Sequence, residues 1–403
     1  VTPSLDEERQ SASKPTENFE AYQLYLKGRN AMRGQQDVKN VELAIGLYEE
    51  ALKKDPHFAH AYAGIADSSL QMYQESKERL WADRALAAAQ QARSLNENLF
   101  EVHLALGNVY QATGRNAEAI AELRRALELQ PNSDDAYRRL GRTYLRSGRA
   151  QEAIQAYERA VQVNPYYWRN HESLGAAHLR LGASEKAAQA FRRVVELEPD
   201  NVNGYNNLGA THLQLGKYEE AAAAFQKALV LKPTAETYTN LGITYAFGGK
   251  FGDAVSMFDK AVQLSPSSEL FVGNLADGYR WAGRHDEAQK TYDKAISLAF
   301  KELQVNPRNA VTRINLALYY AKRGDVTTGE RYAKEALSID SSNVNILYSQ
   351  AVVHVLAKHL AEGLTALEAA LRAGYPVSMA QADPDLALLR SHPGFGEVIR
   401  KFK

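Results

Sequence analysis

The apolar residues of this chain recur at intervals of three or four, the spacing at which side chains share one face of an α-helix. Leu140 and Tyr144 have this spacing, and Ala153, Tyr157 and Ala160 continue it in the following stretch. Glycines and prolines separate such stretches, and a proline ends a helix because its ring removes a donor and clashes with the preceding turn. The pattern predicts pairs of short amphipathic helices.

These helix pairs repeat with a fixed period. Glycine, proline and alanine each recur every 34 residues, with one step of 33. The glycines are Gly107, Gly141, Gly175, Gly209 and Gly242; the prolines are Pro131, Pro165, Pro199, Pro233 and Pro266; the alanines are Ala119, Ala153, Ala187, Ala221, Ala254 and Ala288. A period of this length is typical of a repeat array, in which each unit buries its apolar face against its neighbours.

The repeated unit resembles the tetratricopeptide repeat (TPR), which has an aromatic residue, Leu-Gly and Tyr on its first helix and Ala, an aromatic residue and Pro on its second. The fourth unit carries this pattern at Tyr137, Leu140, Gly141, Tyr144, Ala153, Tyr157, Ala160 and Pro165. The resemblance implies an all-α fold: a right-handed superhelical solenoid of about ten TPR helical hairpins with a C-terminal capping helix.

The same pattern predicts the organisation of the chain. We expect a polar N-terminal linker at residues 1–19, the array at 20–374 and a capping segment at 375–403. Repeats 1, 2 and 8 carry insertions. Four extra residues fall in the loop 34–37 of repeat 1, whereas repeats 2 and 8 each gain seven, close to two helical turns, which predicts longer helices. The residues expected to cover the last apolar face are Leu386, Leu389, Val398, Ile399 and Phe402.

Composition narrows the classes of partner. Lys+Arg and Asp+Glu both number 48, so no global field favours nucleic acid, and no nucleic-acid partner is predicted. No apolar run approaches the roughly 20 residues that span a bilayer, so we expect no membrane insertion by this chain. The absence of cysteine excludes disulfides and thiolate metal sites but leaves the compartment open. A start at Val1 is expected of a piece of a longer protein.

Two short segments resemble one group of TPR arrays more particularly. The opening 15–29, PTENFEAYQLYLKGR, and the tail segments 383–386 and 392–395 are similar to the ends of arrays found at the C-termini of bacterial multidomain regulators. These include receptor-type serine/threonine kinases and winged-helix transcription regulators. The resemblance implies a bacterial source, a signalling context and, for a membrane-anchored regulator, either a cytoplasmic or an extracytoplasmic location.

One first-helix position is a candidate for peptide binding. Asparagine stands immediately before the Leu-Gly or Leu-Ala step in four consecutive units, at Asn207, Asn240, Asn274 and Asn315. An asparagine amide offers an acceptor and two donors, so it can pair with both groups of a peptide backbone. The array of O-linked N-acetylglucosamine transferase carries a similar ladder that holds extended peptides. The alternative interpretation is that asparagine is simply common at this position.

Two further sets of residues are binding candidates. Trp281, near the end of a first helix in the same region, is a candidate aromatic anchor or else an interface filler. A basic face could bind carboxylates or phosphates, or could be a solvated helix surface. Its residues are Arg138, Arg139, Arg142, Arg146, Arg169 and Arg180.

The chain shows no signature of catalysis. No phosphate-binding glycine loop, Gly-x-Ser-x-Gly elbow or His-Glu-x-x-His pair is present. His178 and His212 occupy equivalent positions but lack a further ligand, so no metal site and no cofactor are predicted. We therefore expect a non-catalytic scaffold that binds peptides or proteins on a concave surface. The alternatives are a self-assembly module and the accessory region of an enzyme whose catalytic domain lies elsewhere.

Overall fold

The computed structural model describes residues 15–33 and 37–402, which form helices and short connections, with no strand among them. Twenty of the helices form ten consecutive hairpins. Their bounds are α1 Phe19–Arg33, α2 Val38–Lys54, α3 Ala59–Ser76, α4 Arg79–Leu95, α5 Phe100–Ala112, α6 Asn116–Leu129, α7 Asp134–Arg146, α8 Ala150–Val163, α9 Trp168–Arg180, α10 Ser184–Leu197, α11 Val202–Gln214, α12 Tyr218–Leu231, α13 Ala235–Phe247, α14 Phe251–Leu264, α15 Glu269–Trp281, α16 His285–Val305, α17 Ala310–Arg323, α18 Val326–Ile339, α19 Val344–Leu356 and α20 Leu360–Arg372. The predicted all-helical fold of consecutive hairpins is confirmed.

The chain divides into two units, residues 1–177 and 178–403, and the division falls within α9. In unit 1 and again in unit 2, each odd-numbered helix packs against the following helix of its own hairpin and against the second helix of the hairpin before it. We call the odd-numbered helices α1–α19 first helices. Their side chains that are not used for packing form the first-helix face of each unit.

Local signals in the sequence set the helix ends. The helix α6 ends at Leu129, one residue before the C-cap Gln130, because the residue that precedes a proline is forced into an extended conformation. The next helix is capped by Ser133, whose hydroxyl accepts a hydrogen bond from the Ala136 amide at 3.2 Å. Asn201 caps α11 in the same way, with the Gly204 amide at 2.8 Å.

The repeated glycine of each unit is required by a close approach of the two helices in a hairpin. A Cβ atom on Gly141 would lie 2.8 Å from the ring of Tyr157, and one on Gly209 would lie 2.9 Å from the ring of Phe225. Each aromatic ring follows its glycine by sixteen residues and is buried. The period of the sequence therefore reports one packing contact that both units repeat.

The insertions of seven residues lie within helices. The helix α16 has 21 residues where α14 has 14, and the hairpin of α3 and α4 has helices of 18 and 17 residues. Residues 34–36 of the predicted loop insertion and residues 1–14 of the predicted linker lie outside the described residues.

After α20 the chain forms three short helices and a 3-10 turn: α21 Val377–Ala382, the turn Pro384–Leu386, α22 Ala387–Arg390 and α23 Pro393–Arg400. Apolar side chains from this part join a buried cluster with Tyr348 and Leu367 of the last hairpin. Those side chains are Leu386, Leu389, Phe395, Val398 and Ile399.

Candidate peptide-binding surfaces

The asparagine row consists of Asn207, Asn240, Asn274 and Asn315, which lie on α11, α13, α15 and α17 of unit 2. All four side chains are half-buried. Within the described part of the chain, the side-chain amides of the first three make no hydrogen bond. Unpaired amides in a half-buried position retain their full capacity to bind a ligand.

Asn315 differs from the other members of the row. Its amide nitrogen donates a hydrogen bond to Glu269 Oε1 at 3.1 Å, and the Tyr319 hydroxyl donates to Glu269 Oε2 at 2.6 Å. Burial raises the pKa of Glu269, and these two hydrogen bonds partly oppose that shift. Asn315 therefore already serves to satisfy a buried carboxylate, and three asparagines remain unpaired.

A stretch of the chain's own C-terminal part, residues 376–386, reaches the first-helix face of unit 2; we call it the C-terminal segment. Asp385 accepts a hydrogen bond from Trp281 Nε1 at 2.7 Å and forms ion pairs with Arg280 and, at 2.9 Å, with Lys322. Further along, the Ser378 hydroxyl donates to the backbone carbonyl of Gln214. Side chains and backbone of α11, α15 and α17 therefore hold one continuous stretch of polypeptide.

The C-terminal segment runs beside the asparagine row. Gln214, Trp281 and Lys322 each follow a member of the row by seven residues. Seven residues are nearly two helical turns, so the two positions share a face and lie about 10 Å apart along the helix. The segment thus contacts the C-terminal ends of the first helices and leaves the unpaired amides open.

The charges that hold the segment are buried and balanced. The side chains of Lys322 and Asp385 are 5% and 3% exposed, and Lys322 also pairs with Asp277 at 2.6 Å. Burial alone favours the neutral form of Asp385, but the charges of Lys322 and Arg280 outweigh it and lower its pKa to about 2. Asp385 is therefore an ionised anchor at neutral pH.

The second acid of the segment, Asp383, has the opposite shift. It accepts a hydrogen bond from the Tyr348 hydroxyl at 2.6 Å. Burial and then the negative charge of Asp385 raise the pKa of Asp383 to about 6. Two carboxylates two residues apart thus contribute to anchoring with opposite dependence on pH.

The structure places the remaining predicted site residues as follows. Trp281, the predicted aromatic anchor, is half-buried and engaged by Asp385 of the same chain. In the basic face, Arg138 and Arg139 both pair with Asp135, at 2.6 and 2.7 Å. Arg146 donates to the Gln111 carbonyl at 3.2 Å. Three cations remain without a carboxylate partner among the described residues: Arg142, Arg169 and Arg180.

Unit 1 has a groove of about 690 Å³ on its first-helix face. Side chains from α1, α3, α5 and α7 line it, and its polar part is a set of paired groups. Asn108 donates to Asp67 at 3.2 Å, and Arg139 on the groove wall is neutralised by Asp135. The groove is charged where the unit 2 face has neutral amides.

Reasoning from the sequence missed the residues that hold the C-terminal segment. Asp385 lies about a hundred residues from Arg280 and Trp281, and no periodic pattern connects them. A local signal exists for Lys322, because it stands seven residues after Asn315 where the equivalent positions have Gln214, Phe247 and Trp281. A charged residue at a half-buried position implies a partner of opposite charge.

No helix within the described residues is long and apolar enough to cross a membrane. Comparison with solved structures gives several similar chains. One is YrrB, described as a TPR protein with an unusual peptide-binding site, at 24% identity and a TM-score of 0.41, with 46% of this chain and 96% of that chain covered. Another is MamA, residue 41 to the end, from Desulfovibrio magneticus RS-1, at 22% identity and a TM-score of 0.39, with 41% and 94% covered. The C-terminal part of a TPR repeat-containing protein from Cytophaga hutchinsonii has 18% identity and a TM-score of 0.44, with 60% and 97% covered.

No curated protein matches the chain. Four family models do. The TPR domain of cytochrome c-type biogenesis protein H matches residues 120–239, and three tetratricopeptide repeat models match residues 100–133, 234–265 and 268–342. All four describe tetratricopeptide repeats and they agree with the period of 34 residues and with the observed hairpins, so this chain belongs to the tetratricopeptide repeat family.

Proposed function

We propose that the chain is a non-catalytic protein-interaction scaffold and that unit 2 binds extended peptide segments along its first helices. One observation carries the proposal: the same first helices already hold the C-terminal segment, through Arg280, Trp281 and Lys322. A face that fixes one stretch of polypeptide has the chemistry to fix another. The three unpaired asparagines lie beside that segment and provide the vacant positions.

The spacing of the row suits an extended ligand. Neighbouring helices pack roughly 10 Å apart, and an extended peptide advances about 3.3 Å per residue. One asparagine therefore meets about every third residue of a ligand. An amide that accepts from a backbone N–H and donates to a backbone C=O binds without selecting side chains. We expect broad recognition of extended peptides, with selectivity supplied by residues that flank the row.

The proposal includes a regulatory context. The segments 15–29, 383–386 and 392–395 support it, because they resemble the ends of arrays in bacterial multidomain regulators. In that setting the array would be the sensor or interaction region, and another part of the regulator would carry the output.

The test is direct peptide binding. Extended peptides are selected from a random twelve-residue library on the intact chain, and the affinity of a selected peptide is measured by fluorescence anisotropy. The variant N207A/N240A/N274A loses three backbone hydrogen bonds of about 1 kcal/mol each, so its affinity is expected to fall about a hundredfold. The matched control is N203A, which changes an exposed asparagine of α11 that lies outside the row.

Stability provides the internal check. Because the three amides have no partner among the described residues, the triple variant is expected to keep the helical content and the thermal midpoint of the unmodified chain. Equal affinity of the triple variant and N203A for the selected peptides would contradict the proposal. Binding would then have to be sought at the charged groove of unit 1.

A further inference from the structure

Three side chains of metal-ligand type meet between the ninth and tenth hairpins of unit 2. Glu330 lies on α18, His354 near the end of α19 and His359 just before α20. Glu330 Oε1 is 2.7 Å from His359 Nδ1 and 3.4 Å from His354 Nδ1. The ligand atoms of all three lie within 4.8 Å of one another. We call these residues the Glu-His-His cluster.

The distances are close to those of a metal site. Tetrahedral zinc has bonds of about 2.0–2.2 Å to imidazole nitrogen and carboxylate oxygen, so its ligand atoms are about 3.3 Å apart. The two measured separations lie on either side of that value. Only small side-chain movements are needed to surround an ion. His359 is 52% exposed, so an ion can enter from solvent and keep a water molecule in its fourth position.

The surroundings of His354 favour a ligand role. Its Nδ1 atom is enclosed and makes no hydrogen bond within the described part of the chain. Its other ring nitrogen, Nε2, lies 3.4 Å from the side-chain amide of Gln350, one turn earlier on α19. Ligand histidines usually have such a polar partner at the nitrogen opposite the metal, because it fixes the orientation of the ring.

The internal repeats show that the cluster is a departure from the array's own pattern. The two histidines follow Glu330 by 24 and 29 residues, and the same offsets connect Ile120 to Tyr144 and Arg149. There the Arg149 guanidinium lies 4.7 Å from the centre of the Tyr144 ring. The trio Val255, Tyr279 and Arg284 repeats that arrangement, with the guanidinium 4.4 Å from the ring centre. The usual aliphatic, tyrosine and arginine are thus all replaced by ligating residues at one place.

The backbone keeps the two histidines together. In the hairpin turn of the tenth repeat the His359 amide donates to the His354 carbonyl at 2.9 Å, as the Arg149 amide does to the Tyr144 carbonyl. The residue before His359 is Lys358, with φ of 63°, where the fourth repeat has Gly148. A residue other than glycine in this region is uncommon. The fold therefore holds the turn in the repeat's geometry even without glycine.

We propose that Glu330, His354 and His359 bind one divalent transition-metal ion. The ligand set of two imidazoles and one carboxylate, with one open position, is that of zinc. A bound ion connects the second helix of the ninth hairpin to both helices of the tenth. It therefore stiffens the end of the array beside the C-terminal segment, a role independent of peptide binding at the asparagine row.

The proposal is tested on the intact, tag-free chain after treatment with a chelator. Cobalt(II) is titrated and its visible absorption recorded, because tetrahedral sites give intense bands; zinc affinity is then measured by competition with a chromophoric chelator. We expect one equivalent to bind. In E330Q and in H354Y/H359R, which restores the residues of the fourth repeat, affinity is expected to fall at least tenfold.

The control is H212Y, which removes a histidine at the position equivalent to His354 in another repeat and leaves the cluster intact. It is expected to bind cobalt and zinc as the unmodified chain does. Zinc should raise the thermal midpoint of the unmodified chain and H212Y but not of E330Q or H354Y/H359R. Absence of one-equivalent binding, or equal affinity in E330Q and H212Y, would overturn the proposal.

Discussion

The first-helix faces of the two units differ although their cores are alike. Unit 1 presents a groove in which charged groups are neutralised in pairs, as Arg139 is by Asp135. Unit 2 presents neutral, unpaired asparagines and binds its own C-terminal segment through Asp385. The hairpin contact beneath both faces is the same, with a glycine against an aromatic ring. Packing residues therefore set the array, and first-helix residues outside the core set what each unit can bind.

The difference also separates an occupied face from an open one. In unit 2, Trp281 and Lys322 are used by the C-terminal segment, so a peptide on the asparagine row must bind beside it. In unit 1, no segment of unit 1 itself fills the groove. Changes that release the segment, and changes common to both cores, test this distinction.

The largest effect is expected from D385A. The substitution leaves Arg280 and buried Lys322 without their shared carboxylate, and breaking a buried ion pair typically costs about 3–5 kcal/mol. Hydrogen exchange measured by mass spectrometry should show that residues 376–386 lose protection while unit 1 is unchanged. D286A, an exposed aspartate on α16, is the control and should match the unmodified chain. Retained protection in D385A would show that apolar contacts alone hold the segment.

The pH dependence of the same segment is the next largest effect. The native pKa of Asp383 is about 6, above its unfolded value of about 3.9. The native state therefore binds more protons between these values, and stability falls as pH rises through this interval, by up to about 3 kcal/mol. The stabilisation from Asp385, whose pKa is lowered to about 2, is present above about pH 4 and is lost only as pH falls toward 2.

The measurement is urea unfolding at pH 5 and pH 7, detected by Trp281 fluorescence in a W81F/W168F background. The unmodified segment should be released at lower urea concentration at pH 7 than at pH 5. D383N, a neutral mimic of the protonated acid, should remove most of that difference. If D383N has the same pH dependence as the unmodified chain, Asp383 does not titrate in this interval.

A smaller effect should be shared by both units. G141A in unit 1 and G209A in unit 2 each place a methyl group within 2.8–2.9 Å of an aromatic ring. We expect each to lower stability by about 1–2 kcal/mol, because overpacking exceeds the gain in helix propensity. The controls are G46A and G252A, where an added Cβ meets nothing within 4 Å and stability should hold or rise. A large effect in only one unit would show that the two cores differ.

The fold could be predicted from the sequence because its determinants are local and repeated. The sixteen-residue spacing of Gly209 and Phe225 and the helix stop at each proline appear in every regular unit. The asparagine row follows from the same period. The attachment of Asp385 to Lys322 could not be predicted, since it depends on where a non-repeating segment returns in space. The Glu-His-His cluster was visible in the sequence only as a set of departures from the repeat.

The smallest effect distinguishes two members of the asparagine row. The residue five before Asn274 in the preceding unit's alignment is Ala235, whereas the equivalent for Asn315 is Glu269. N315A removes a hydrogen bond to buried Glu269 and should lower stability by about 1 kcal/mol, while N274A should change it by less than about 0.5 kcal/mol. Asn315 favours the ionised form of Glu269, whose pKa burial has raised. The cost of N315A should therefore be present at neutral pH and shrink as Glu269 becomes protonated. Equal costs for N315A and N274A at pH 7 in urea unfolding would mean that the row is uniform and that Asn315 is as available to a ligand as the others.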